Sequence, residues 1–247
     1  MRLYYVDERE GEGCFVRSAL GVDAERWNDL FQDVRAWRME LRDRYGIRPA
    51  IELQPFDLLA PPVGSDAGAW LSAADGAAVF RAGLQLIEDA ARRRGDIEVI
   101  NVCLPRQDRG RHEQTSLGRL LTRINTAVSA ANRHAFLIFD EVREEPITRL
   151  YRRLRVNNPI PSRYESWDDG SPTRNIPLDR VIGGPAFRSA GGDHILQLAG
   201  FVAHALLLQE EGAGRVEDLD LAHTFAALDR ALNREASARD AQGVVRR

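Results

Sequence analysis

Two acidic pairs, Asp7-Glu8 and Asp140-Glu141, each follow directly after a short apolar run. The runs, residues 3–6 and 136–139, are too short for helices and rich in aromatic and aliphatic side chains, so each predicts a buried strand. Carboxylates at the end of a buried strand are costly unless they are hydrated, hydrogen-bonded or bound to a cation. If the two strands are neighbours, Asp7 and Asp140 meet, and their like charges favour a divalent metal. The alternative is a charged hairpin turn in which Asp7 accepts backbone hydrogen bonds.

The composition indicates an ordinary globular protein. The chain has 247 residues, 44% of them hydrophobic and 29% charged, and a net charge of −3. These values give no global indication of nucleic-acid or membrane binding. All the basic residues are Arg, which suits phosphate contacts but also follows from a biased genome composition. Cys14 and Cys103 lie in separate strand-like runs, and no leader segment or apolar span appears, so we expect reduced thiols in a cytoplasmic protein.

Strand and helix patterns alternate along the chain and predict one α/β domain over residues 1–247, with a mixed sheet flanked by helices. Asp23 is expected to cap the first helix and Gly46 to end it, and Asp193 to cap a later apolar helix through Leu208. A turn is predicted over 8–13, and a frayed tail after residue 236. The expected strands are 2–8, 13–20, 50–53, 97–104, 135–140 and 180–186, and the expected helices are 23–45, 77–94, 116–132, 144–155, 193–208 and 219–236.

Four short motifs occur in an order that resembles the domain-of-unknown-function 3800 family over roughly residues 2–208. They are Tyr4-Tyr5-Val6-Asp7-Glu8, Ile51-Glu52-Leu53-Gln54, Leu137-Ile138-Phe139-Asp140-Glu141 and Leu196-Gln197-Leu198-Ala199-Gly200. The resemblance implies a ribonuclease H-like fold and hydrolysis of phosphodiester bonds in DNA or RNA, in a mobile-element or phage-defence setting. It also implies Mg²⁺ or Mn²⁺ as cofactor, held by Asp7, Glu52 and Asp140 as catalytic and metal-binding residues. Such ions activate the attacking water and stabilise the leaving oxygen.

The chain departs from the family pattern at two places. Arg9-Glu10 replaces the Ser-Gly that follows the first acids, and Gly200 replaces the Asp that would complete the metal ligands. With Gly200 in that position, we expect at most one metal to be held well. Glu8 and Glu141 are further candidates, although regular alternation along their strands points them to the opposite face.

Asp193, Gln197, Gly200 and His204 share one face of the predicted apolar helix, because they are spaced by four, three and four residues. If this face of the helix is directed toward the predicted metal site, Asp193 or His204 could reach a metal ion or a water molecule. The alternative is that Gly200 permits close packing of the helix on the sheet and that His204 is a satisfied buried residue.

Two arginine clusters could contact a phosphate backbone without reading sequence, or could be solvated faces. One lies in a loop and the other on a predicted helix: Arg106, Arg109 and Arg111, and Arg152, Arg153 and Arg155. The resemblance thus implies a metal-dependent nuclease, and the departure at Gly200 leaves open a nuclease-derived domain that no longer cleaves and binds nucleic acid or a partner protein. The sequence leaves the oligomeric state open.

Overall fold

The protein is an α/β structure built on a five-stranded mixed sheet flanked by helices. The computed structural model describes residues 1–59, 71–106, 111–162, 166–212 and 220–246. The sheet consists of β1 (Arg2–Glu10), β2 (Cys14–Asp23), β3 (Ile97–Pro105), β4 (Ala135–Asp140) and β7 (Ala186–Arg188), and a separate pair of short strands is formed by β5 (Pro159–Pro161) and β6 (Thr173–Asn175). The helices are α1 (Trp27–Tyr45), α2 (Pro55–Leu59), α3 (Ala73–Arg94), α4 (Arg111–Ala130), α5 (Glu144–Leu154) and α6 (His194–Glu211).

The strand order is β3-β2-β1-β4-β7, so β1 lies at the centre. It runs antiparallel to β2 and parallel to β4, with Val6 opposite Phe139. The prediction that the two acid-terminated strands are neighbours is therefore confirmed. Asp7 and Asp140, one residue further along each strand, lie at the same end of the sheet.

Alternating side chains on the strands form two apolar layers. Tyr5, Val16 and Ile138 belong to the layer covered by α1, α3 and α6. Tyr4 and Val6 belong to the layer covered by α4 and α5. Since Asp7 follows Tyr5 by two residues, it is on the α6 face of the sheet.

The ends of several elements follow from local sequence. Gly46 ends α1 in the left-handed conformation, as predicted, with φ of 71°. Asp193 caps α6, and its Oδ1 accepts hydrogen bonds from the backbone N–H groups of Ile195 and Leu196, both at 3.1 Å. Asp23 makes no side-chain cap, because its carboxylate instead pairs with Arg2 and Arg133.

The predicted strand over 50–53 is wrong. This segment is irregular, because side chains rather than a neighbouring strand satisfy its backbone. Arg38 donates to the carbonyl oxygens of Pro49 and Ile51, and Gln197 Oε1 accepts from the N–H of Leu53. The predicted turn over 8–13 begins later, since β1 pairs with β2 as far as Glu10. The strand expected over 180–186 is Ala186–Arg188, preceded by a single bridge from Val181 to Ala135.

The predicted C-terminal helix over 219–236 is also wrong for the described residues. Two 3₁₀ turns, Thr224–Leu228 and Arg234–Ala236, take its place. The segment beyond them runs beside β3 as far as Val245, whose N–H donates to Asn101 O at 2.9 Å. Val244 and Val245 are buried, so apolar side chains hold this part of the tail against the sheet. No described helix is long and apolar enough to cross a membrane.

Candidate functional site

We call the region of Asp7, Glu52 and Asp140 the acidic site; Arg9 binds Asp7 there, and Gln54 binds Glu52. Arg9 Nη1 lies 2.9 Å from Asp7 Oδ2, and Arg9 Nη2 donates to Gln54 Oε1 at 3.0 Å. Gln54 in turn donates from Nε2 to Glu52 Oε1. A chain of polar contacts therefore links Asp7 to Glu52 through one guanidinium and one amide.

Arg9 follows Asp7 by two residues on β1, so both side chains point to the α6 face. This location explains why sequence reasoning missed Arg9: residues 9 and 10 were expected in a turn, where a side chain has no fixed direction. The alternation of side chains along β1, which places Tyr5 and Asp7 on one face, would also place Arg9 there if the strand were extended to residue 10. Gln54 was missed because residues 50–53 were expected to be a strand.

Gly200 of α6 lies against this pair. A Cβ atom added to Gly200 would lie 2.6 Å from Arg9 Nη2 and closer still to Asp7 Oδ2. These separations are shorter than real side chains allow, so no side chain fits at position 200 while Arg9 and Asp7 stay in place. The volume that a side chain at position 200 would take is filled by the Arg9 guanidinium and the Asp7 carboxylate.

Burial raises the pKa of the Asp7 carboxyl, and the charges of Glu8 and Asp140 raise it further. Arg9 and a 2.8 Å hydrogen bond from the Glu8 backbone N–H oppose this shift but do not cancel it. The influence of Asp140 means that the two carboxylates share one electrostatic environment. Asp140 Oδ1 accepts from the N–H of Glu141 at 2.8 Å and from that of Ala190 at 3.4 Å.

The α6 face that the sequence singled out does approach the acidic site, but its members do different things. Asp193 caps the helix and pairs through Oδ2 with Arg188 at 3.1 Å. Gln197 donates to Ala190 O at 2.7 Å and accepts from Leu53. His204 is 8% exposed and meets Phe80 edge-on at 5.8 Å.

His204 is a neutral imidazole at physiological pH. Burial and the nearby charge of Arg9 lower the pKa of His204 to about 4. Its Nδ1 is buried and has no hydrogen-bond partner within the described part of the chain.

Glu8 and Glu141 have surroundings of their own. Glu8 is on the α4 face, where its Oε2 lies 3.1 Å from Nη1 of the buried Arg17. Glu141 begins a 3₁₀ turn and is exposed. The opposite orientation expected for Glu8 agrees with its ion pair.

In each arginine cluster one member is engaged with its own chain. Arg106 pairs with Glu10 at 2.9 Å, and Arg155 donates to Tyr151 and to the Val181 carbonyl. Arg111, Arg152 and Arg153 are exposed. Arg109 lies outside the described residues.

Within the described ranges, no group of three or more His, Cys, Asp or Glu side chains is placed so that it could hold a metal ion. The residues present do not fit a resident divalent ion while Arg9 pairs with Asp7, since the guanidinium takes the carboxylate oxygen that a cation would need. A search of family models and of curated proteins finds no match to this chain.

Proposed function

We propose that this chain is a nuclease-derived domain with a ribonuclease H-like fold that binds nucleic acid without cleaving it. The observation that carries the proposal is the ion pair between Arg9 and Asp7, in the volume left by Gly200. An arginine always carries its charge, so Arg9 supplies a permanent cation at the place where a catalytic metal would be needed. The two departures from the family pattern, at positions 9 and 200, are then one coupled change.

The α/β sheet flanked by helices agrees with what the family resemblance implies for the fold. The resemblance also supports nucleic acid as the ligand class and a mobile-element or phage-defence setting. Cys14 and Cys103 are free and buried, which supports a reducing compartment such as the cytoplasm.

The second candidate is an active nuclease that uses Mg²⁺ or Mn²⁺ with Asp7, Glu52 and Asp140. The observation that favours it is the shared environment of Asp7 and Asp140 at one end of two parallel strands. Like carboxylates in such a place are stabilised by a divalent cation. This function requires Arg9 to leave Asp7 when the metal binds.

A cleavage and binding assay separates the two candidates. The substrates are single- and double-stranded DNA and RNA, in the presence of Mn²⁺, with the Asp7→Ala variant beside the natural chain. We expect both proteins to retard the nucleic acid in a gel and neither to cut it above background. Asp43→Ala, which removes an exposed carboxylate of α1, is the matched control for handling and contaminating nuclease. Cleavage that Asp43→Ala retains and Asp7→Ala loses would overturn the proposal in favour of the active enzyme.

A further inference from the structure

A second polar region lies on the same face of the sheet, in a cavity of about 440 Å³ between α1 and the first turn of α6. We call it the arginine cavity, after the three guanidinium groups among its lining residues, Arg35, Arg38 and Arg188. Its size falls within the range of small-molecule sites.

Arg38 is the unusual residue of this cavity. It is 1% exposed, yet within the described residues its hydrogen bonds go to neutral oxygens, those of Gln197, Pro49 and Ile51. Its Nε is buried and has no partner among the residues described. Burial lowers the pKa of Arg38 to about 10. A buried guanidinium with no carboxylate beside it is costly, and an incoming anion would offset that cost.

The other charged groups that line the arginine cavity do not compensate the charge of Arg38. Asp193 is the one acid among the described lining residues, and both of its oxygens are engaged, Oδ1 by the helix cap and Oδ2 by Arg188. Burial and the charge of Arg38 lower the pKa of His194, so the cavity disfavours a charged imidazole there. Arg35 is an exposed cation at the same opening. Asp193 Oδ1 accepts from two backbone N–H groups of the helix end, those of Ile195 and Leu196, and the arginines are the charged donors that line the cavity.

One wall of the arginine cavity is aromatic. The rings of Trp27 and Phe31 are stacked, with centroids 5.1 Å apart and planes 12° from parallel, and both are only partly buried. Trp27 Nε1 donates to the hydroxyl of Tyr5 at 2.7 Å, which fixes the indole. A fixed, partly exposed aromatic surface beside cations is the combination on which nucleobases stack.

The arginine cavity and the acidic site are close neighbours. Tyr5, which holds Trp27, precedes Asp7 by two residues on β1, a separation of about 7 Å along the strand. The loop before α6 connects them as well, since Ala190 donates to Asp140 while Gly192 lines the cavity.

From these contacts we infer that the arginine cavity binds one nucleotide, with its base against Trp27 and Phe31 and its phosphate at Arg35, Arg38 and Arg188. The inference deepens the proposed function and rests on it for one point, the identification of the ligand as a nucleotide rather than another phosphate that carries an aromatic ring. The binding itself needs neither a metal nor the acidic site.

The test is a calorimetric titration with thymidine 5′-monophosphate in the presence of EDTA, which excludes divalent metals. We expect one site per chain, and at least tenfold weaker binding of thymidine and of inorganic phosphate, since each lacks half of the contacts. Arg35→Ala and Arg188→Ala should each weaken the nucleotide about tenfold. Arg42→Ala, an exposed arginine of α1 that does not line the cavity, should leave the affinity unchanged.

Arg38→Gln should abolish binding, and circular dichroism shows whether this variant still folds. If it does not fold, the nucleotide affinities of Arg35→Ala and Arg188→Ala test the inference instead. Competition with single-stranded oligothymidylate identifies the source of the nucleotide: displacement indicates a strand, and lack of displacement indicates a free nucleotide.

Absence of saturable nucleotide binding, or binding that Arg35→Ala and Arg188→Ala leave unchanged, would overturn the inference. Phenyl phosphate separates its two parts. Arginine-dependent binding of phenyl phosphate without binding of the nucleotide would overturn the nucleotide assignment, which is the part that depends on the proposed function. Cleavage in the Mn²⁺ assay would overturn the proposed function alone.

Discussion

Arg9 and Gly200 fit each other as a pair. The guanidinium of Arg9 contacts Asp7 in the volume that any side chain at position 200 would enter. Gly200→Asp alone is therefore expected to force Arg9 and Asp7 apart rather than complete a metal site. The added side chain has room only when the Asp7 carboxylate also turns away, and shortening the arginine in the double variant Arg9→Ser with Gly200→Asp frees the space into which Asp7 can turn.

His204 gives the acidic site a measurable pH signature. Its pKa is about 4 in the folded protein and has the ordinary value of 6.5 in the unfolded chain. Between these values the unfolded chain binds a proton that the folded protein does not, so stability falls as pH decreases from 6.5 to 4. The full effect of this shift is on the order of 3 kcal/mol.

The measurement is urea unfolding at several pH values for the natural chain and for His204→Leu, which replaces the imidazole by an apolar side chain that cannot titrate. We expect the variant to lose less stability across this interval. Equal losses in the two proteins would show that His204 titrates normally in the folded state.

At the scale of elements, one carboxylate joins the β1–β2 turn to the end of α6. Glu211 accepts from the backbone N–H groups of Glu12, Gly13 and Cys14, at 2.8 to 3.0 Å. Partial burial opposes its ionisation, but these hydrogen bonds outweigh it and hold the pKa of Glu211 below its ordinary value. Gly11 permits the approach, since a Cβ there would overlap the carboxylate.

Glu211→Ala should lower the free energy of unfolding by about 1–2 kcal/mol. This value is smaller than that for hydrogen bonds to a buried carboxylate, because Glu211 is exposed to solvent. Glu211→Gln keeps an acceptor oxygen and removes the charge, so it should lose less. Because the pKa is lowered on folding, the stabilisation is present above the ordinary pKa and declines as pH falls below it. Urea unfolding at neutral and acidic pH measures both effects; an alanine variant as stable as the natural chain would rule out the turn anchor.

Elements with a strong local pattern could be predicted, and elements that depend on distant side chains could not. The strand over residues 135–140 and the left-handed Gly46 follow from their own sequence. Residues 50–53 looked like a strand, but Arg38 and Gln197 satisfy their backbone from two helices. The C-terminal segment looked amphipathic, yet it follows the edge of β3 in 3₁₀ turns.

The same limit applies to the acidic site. Apolar runs ending in acids predict that Asp7 and Asp140 lie at neighbouring strand ends, which needs only strand pairing. The position of Glu52 beside Gln54 and Arg9 depends on an irregular segment and on where β1 ends. No periodicity in the sequence encodes either feature.

At the scale of the whole molecule, the sheet separates two charged systems. On the α6 face, Arg9 bridges Asp7 to Gln54, and the arginine cavity lies beside them. On the α4 face, the buried Arg17 pairs with Glu8. The α6 face therefore combines an acidic site in which Arg9 pairs with Asp7 and a neighbouring cavity in which the buried Arg38 bonds to no described carboxylate, the cavity to which we assign phosphate binding.

The most direct test of this account is a calorimetric titration of Mn²⁺ into the natural chain and into the double variant Arg9→Ser with Gly200→Asp. We expect no saturable uptake by the natural chain, because Arg9 already neutralises Asp7, and a metal site in the double variant, where a carboxylate replaces the guanidinium. Stoichiometric Mn²⁺ binding by the natural chain that Asp7→Ala abolishes would contradict it.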